Sequence, residues 1–267
     1  MGASVNINKT LGVAAGTSII APQTDSFTNT HSIELDGIDA YVDCGSNGSL
    51  NFERTDSFSF SFWVKRNSTG TNDVMVARQN ATGNQRGYYV NLNTSDRLVI
   101  QLRRDTSNNS QRLNVQSTTL INTTNWYHIA ITYDGTSTVN SFKMYIDGER
   151  DVITNKLGTL SASIQTPSAV FCIGSLHTGV AAAADAFMDE IAVFDSVLTD
   201  GGVSEGQTAG GEIAEIYNSG TPNDLTSLSP ISWWRFEEGS GTSATDSGSA
   251  SNTGTLENTA TFSTDVP

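Results

Sequence analysis

The run Ser57-Phe58-Ser59-Phe60-Ser61-Phe62-Trp63-Val64 constrains the fold more than any other stretch of the chain. Phe58, Phe60 and Phe62 recur at a spacing of two, with Ser57, Ser59 and Ser61 between them. In an extended chain alternate side chains leave opposite faces. The pattern predicts a strand with phenylalanines facing a core and serines facing away, half-buried. Similar short runs precede it at Ser32–Leu35 and Ala40–Cys44 and follow it at Val74–Ala77, Tyr88–Leu92, Leu98–Leu102, Leu113–Gln116, Trp126–Tyr133, Ser141–Ile146, Val170–Ile173 and Met188–Phe194. Asp36-Gly37, Asp134-Gly135 and Asp147-Gly148 punctuate them, and these pairs tolerate the positive φ of tight turns. Many short strands with turn signals between them predict an all-β sandwich or barrel.

One short helix is expected at Glu212–Tyr217, with Gly210-Gly211 before it and Asn218-Ser219-Gly220 as its stop. Ile213, Ile216 and Tyr217 share one face, which is enough to lie on the sandwich. Residues 1–30 are small, polar and weakly patterned, and read as an extended N-terminal arm. Ile231–Phe236 reads as a late strand, Glu238–Gly254 as a Gly/Ser/Thr loop, and Thr255–Asn258 as a final short strand.

Composition narrows the function. A net charge of −14 with no offsetting basic patch argues against nucleic acid. No run approaches the roughly 18 apolar residues needed to span a bilayer, so no membrane insertion is expected. Hydrophobic residues make up 37% of the chain and charged residues 16%, leaving a Ser, Thr, Asn and Gly background suited to turns. Cys44 and Cys172 lie in separate strand-like runs and are expected to be buried free thiols. The three histidines, His31, His128 and His177, are dispersed, and no Gly-x-Ser-x-Gly elbow occurs, so neither zinc nor a nucleophilic triad is indicated.

Several pieces, in order, resemble a laminin-G-like jelly roll of the concanavalin A-like lectin/glucanase superfamily. They are Leu35–Val42, Phe60–Trp63, Trp126–Ala130, Tyr145–Gly148, Ile173–Ser175 and Met188–Phe194, and they cover about residues 31–220. The resemblance implies a two-sheet antiparallel β-sandwich over residues 31–267. Trp234-Arg235-Phe236-Glu237-Glu238-Gly239 is similar to the segment that normally opens such a domain, yet here it comes last. Only about thirty residues follow it, too few for a second sandwich. Residues 230–267 are therefore expected to be a permuted opening strand and loop, filling an edge of their own sandwich, or else donated to a neighbour. Alternation then places Trp234 and Phe236 in the core and Trp233 outside or against a neighbour.

Glucan-cutting relatives carry acidic residues at alternate positions of one strand, which sets two carboxylates on one face. Asp189-Glu190 and Glu237-Glu238 are adjacent pairs and so are expected to point to opposite faces; no catalytic residue is assigned. Domains of this superfamily often hold calcium, which takes six to eight oxygen ligands. Asp36, Asp39, Asp189 and Asp246 are the candidate ligands, with turn capping as the alternative role. A glycan site requires an exposed aromatic ring beside polar residues. Tyr88-Tyr89 and Trp233-Trp234 each send one ring outward if their strands are regular.

The expected function is a non-catalytic binding or structural module. The chain begins with Met1 and shows no secretion signal, whereas the fold resembles extracellular adhesive domains. A bacteriophage virion component, as a capsid decoration or fibre-type protein, reconciles the two. Its partners would be other virion or surface proteins, a homo-oligomer or a glycan. A secreted or cell-surface adhesin and a hydrolase of the same fold are the alternatives.

Overall fold

The computed structural model describes residues 27–80, 85–104, 111–178 and 181–267. The strands run in chain order as β1 (Ser32–Asp36), β2 (Tyr41–Asp43), β3 (Phe58–Arg66), β4 (Asp73–Gln79), β5 (Gly87–Leu92) and β6 (Arg97–Arg103). Next come β7 (Arg112–Leu120), β8 (Tyr127–Tyr133), β9 (Phe142–Ile146), β10 (Glu149–Arg150), β11 (Ile153–Leu157), β12 (Phe171–Ile173) and β13 (Asp185–Phe194). The helix α1 (Gly211–Tyr217) precedes β14 (Ser232–Trp234), β15 (Ser243–Ala244), β16 (Gly254–Glu257) and β17 (Thr261–Ser263). They form two antiparallel sheets. One is eight-stranded, ordered β10-β9-β8-β3-β13-β1-β17 with β14 also on β13; the other is nine-stranded, ordered β11-β7-β6-β5-β4-β12-β2-β16-β15. The arrangement is the expected all-β sandwich with one short helix.

The core lies between the sheets. Phe58, Phe60 and Phe62 of β3 are fully buried there and face Tyr88, Val90 and Leu92 of β5 across the sandwich. The serines of β3 depart from expectation. Ser59 and Ser61 are also buried, because α1 and residues 195–228 cover the outside of the eight-stranded sheet. Ile213 and Ile216 of α1 join Tyr145, Phe194, Leu198 and Trp233 in this second apolar layer. Ser59 Oγ donates to Ser196 O at 2.7 Å and accepts Leu198 N–H, so the serines hold the covering loop. Tyr217 stacks on Trp63.

The C-terminal segment joins both sheets of its own chain. β14 pairs with β13, β16 with β2, and β17 with β1. Trp234 and Phe236 are wholly buried in the core, Trp234 stacking on Phe171 with centroids 5.5 Å apart. Trp233 does not face outward as expected. It is buried in the second layer, with Phe27 stacked 6.3 Å away. The alternation of β14 holds, but the outer face of this sheet is itself an interior. Cys44 and Cys172 are buried and unbridged.

Candidate functional site

The two outer faces of the sandwich differ in chemistry. On β4 to β7, alternate residues enter the core: Tyr88 and Val90, Ile100 and Leu102, Leu113 and Val115. The intervening side chains therefore leave the sandwich. Register sets them in rows: Ala77, Tyr89, Gln101 and Asn114 in one, and Gln79, Gly87, Arg103 and Arg112 in the next. Asn91 aligns with Val99 and Gln116 in a third. The product is an amide-rich face with one aromatic ring, Tyr89, at its centre.

Amides on this face bond to one another, each with part of its capacity. Gln101 Nε2 donates to Asn114 Oδ1 at 3.0 Å and Asn91 Nδ2 to Asn72 Oδ1 at 2.6 Å. Asn93 and Asn155 both donate to Gln116 Oε1. Gln79, Asn91 and Gln101 are nonetheless buried, at 2%, 5% and 4% exposure. Both amide atoms of Gln79, Oδ1 of Asn91 and Oε1 of Gln101 lack a partner, as do Nε of Arg103 and Nε of Arg112. A buried polar atom without a partner costs about 1–3 kcal/mol. Five neighbours carrying such atoms on one face amount to unspent hydrogen-bonding capacity. Gln79 also lines a hollow of about 290 Å³ with Ser168, Val170 and His177.

Tyr89 is the outward member of the Tyr88-Tyr89 pair. Tyr88 points inward and donates to Leu50 O at 2.7 Å. Burial raises the Tyr89 phenol above its usual range, against the pull of Arg103 and Arg112. Gly87, at φ +133°, leaves no side chain between Gln79 and Arg103; a Cβ there would lie 1.9 Å from Arg78 O.

The expected calcium ligands are not assembled into one cluster. Asp36 and Asp39 do come together, since Thr259 Oγ1 reaches both. Asp36 Oδ1 accepts the N–H groups of Ile38, Asp39 and Ala40, closing the turn after β1. Its slight burial opposes ionisation, but Thr259 and these amides more than offset that and hold it at about 2. Asp246 accepts Trp233 N–H and Gly248 N–H on Oδ1 and Asn252 N–H on Oδ2. Asp189 accepts Asn29 Nδ2 at 2.9 Å. Among the described residues no group of three or more metal-binding side chains converges.

The adjacent pair Asp189-Glu190 corrects the expectation that its carboxyls point to opposite faces. The register of β13 on β3 shifts between Asp189 and Ala192, and Glu190 adopts φ +49°. This bulge inserts one residue, so Ile191 returns to the core and both carboxyls lie on the outer side. Glu190 accepts Trp233 Nε1–H at 2.6 Å and pairs with Arg235 at 3.2 Å. Burial, with Glu190 alongside, pushes Asp189 well above the usual carboxylate range. Burial likewise raises Glu190 to about 8, although Arg235 and Trp233 pull the other way. Raised carboxyls often mark catalytic sites. Here the pair is sealed: Asp189 is fully buried, Glu190 is 3% exposed, and residues 27–31 close over them. Thr30 and His31 donate their N–H groups to Glu237, and Arg235 packs over Phe27 at 4.4 Å. The arrangement ties residues 27–31 and 233–237 to β13. The residues of the expected arm that the structure describes, 27–30, therefore dock on their own chain, and residues 1–26 lie outside the described residues.

Sequence reasoning missed Gln79, Asn91, Gln101, Arg103 and Arg112. The signal was present, because they occupy the polar positions of strands whose apolar positions define the core.

These features define a two-sheet jelly-roll sandwich; among the described residues, the outer face of the eight-stranded sheet is covered by α1 and residues 195–228, and the outer face of the nine-stranded sheet is lined by amides and arginines. Residues 36–204 match the Laminin G 3 family of the concanavalin A-like lectin/glucanases superfamily, and the chain belongs to that family. No curated protein matches the sequence. A candidate carbohydrate-binding protein of Bacteroides ovatus superposes with a TM-score of 0.60 at 15% identity, over 89% of this chain and 60% of that one. The chain thus spans less than two thirds of that protein. The CBM40 domain of the Ruminococcus gnavus IT-sialidase, bound to α2,3-sialyllactose, gives 0.47 at 16% identity over 62% of this chain and 92% of that one. A heptameric SAP-like pentraxin from Limulus polyphemus gives 0.45 at 13%, over 64% and 78%.

Proposed function

We propose that the protein is a non-catalytic carbohydrate-binding module that takes a glycan on the outer face of its nine-stranded sheet. The observation that carries this is the set of unspent amide and guanidinium atoms around Tyr89. Sugars present hydroxyls that both donate and accept, the complement of half-used amides. The apolar face of a pyranose suits the Tyr89 ring. The Bacteroides ovatus protein of the same fold, described in carbohydrate-binding terms, supports the reading. The sealed state of Asp189 and Glu190 supports a binding rather than a hydrolytic role.

A glycan array followed by NMR titration of the full chain tests the site. Backbone shifts are expected on β4 to β7, with Tyr89→Ala weakening binding at least about tenfold, the loss of one stacked ring and its contacts. Shifts confined to the eight-stranded sheet, or no array signal, would sink it. Adhesion of this kind also suits a bacteriophage virion component acting at a host surface, a role that rests on composition alone. Mass spectrometry of purified particles decides that point; a proteome without the chain ends it.

A further inference from the structure

The amide face also carries positive charge at one corner. Arg103 of β6 and Arg112 of β7 stand directly opposite each other in register. Like charges in that position repel and destabilise a sheet. Among the described residues no acidic side chain forms an ion pair with either. Arg103 spends Nη1 on Gln85 Oε1 at 3.2 Å. Its Nε–H is screened from water and makes no bond, and Arg112 repeats the pattern. The Nε side is one of the edges by which a guanidinium grips two oxygens of one anion. Both arginines also act on the Tyr89 phenol, which places ring and cations at one spot.

Resting on the glycan reading of this face, we propose that the sugar it takes is an acidic one, whose carboxylate is held between Arg103 and Arg112 while its ring lies on Tyr89. A neutral hydroxyl accepts from a single donor and brings no charge to two facing guanidiniums. A carboxylate supplies two acceptor oxygens and a negative charge. The net charge of −14 does not forbid this, because repulsion from distant carboxylates is screened beyond about 8–10 Å at physiological salt.

The test is calorimetric and NMR titration of the full chain with three probes: an oligogalacturonate, its neutral methyl ester, and a sulfated neutral oligosaccharide. The acid is expected to bind at least about tenfold more tightly than the ester, the scale of one charge-assisted bond. It should also shift the arginine Nε–H resonances of the unaltered protein. Arg112→Gln and Arg112→Lys should each erase that preference, weakening acid binding at least about tenfold more than ester binding; the lysine variant keeps the charge and removes the fork. Equal binding of acid and ester overturns the proposal and leaves the glycan reading intact, as does tight binding of the sulfated probe alone. If none of the three probes shifts any residue of the face, both readings fall. The Nε–H shifts keep the test decisive should either variant fail to fold.

Discussion

The two outer faces of this sandwich are built by the same alternation and end in opposite states. On the eight-stranded sheet, Ser59, Ser61, Ala130, Tyr145 and Ala192 lie beneath α1 and residues 195–228, and the serines find partners, with His128 Nδ1 and Asn29 Oδ1 as unpartnered exceptions. On the nine-stranded sheet, Gln79, Asn91 and Gln101 are just as buried, yet each keeps an atom without a bond. A protein layer over a sheet must satisfy what it covers, or its folding free energy suffers. Where covering and satisfaction are separated, the capacity left over is available to something that arrives later. The first face serves stability, and the second is the one on which we place binding.

Truncation is the most severe way to break this contrast. Deleting residues 230–267 removes β14 to β17, and with them Trp234 and Phe236 from the core and Trp233 from the second layer. Burying a large side chain contributes roughly 1.5–3 kcal/mol, against a total stability of about 5–15 kcal/mol. The truncated chain should lose its cooperative unfolding transition by circular dichroism; an unchanged midpoint would show that the tail is an appendage. Within the covered face, Ile213→Ala should cost about 2–5 kcal/mol in chemical denaturation, since Ile213 of α1 is wholly buried in the second apolar layer.

A third test uses the sealed carboxyls. Glu190 is held at about 8 when folded against 4.5 ordinarily, and Asp189 moves the same way. The folded state therefore keeps protons that the unfolded state releases between those values, and stability falls as pH rises through that window. The melting midpoint should drop by several degrees between about pH 5 and pH 8. Glu190→Gln should flatten that slope, and an identical slope in the variant would free Glu190 of responsibility. His128 acts at the other end: burial lowers it from 6.5 to about 3, so its contribution is lost as pH falls through that range.

The smallest effect sharpens the comparison most. Gln79→Leu removes two unpaired buried atoms, so stability should hold or rise by about 1 kcal/mol while glycan affinity drops. A clear destabilisation would show that Gln79 is structural, and would pull the two faces back together.

Legibility in the sequence followed the same division. The runs around Phe58–Val64, Tyr88–Leu92 and Met188–Phe194 announced strands, because side-chain period is a local property of an extended chain. The helix at Gly211–Tyr217 was equally readable from its glycine entry and Ile213/Ile216 spacing. The two-residue β10 and β15, and β11 and β17, were not, because their strand character comes from the neighbours they pair with. Tyr89 could be picked as one of a pair with an outward ring, but not as the centre of a site.

By itself, then, the sequence determined that the chain is a β-sandwich of this family and that Phe58, Phe60, Phe62, Trp234 and Phe236 face the core. Tertiary structure alone decided that Trp233 is an interior residue, that a bulge turns Asp189 and Glu190 to the same side, and that Arg103 faces Arg112. The reason is physical. Whether an outward position meets water, a helix or another charge depends on residues far away in sequence, and only the folded register brings them together.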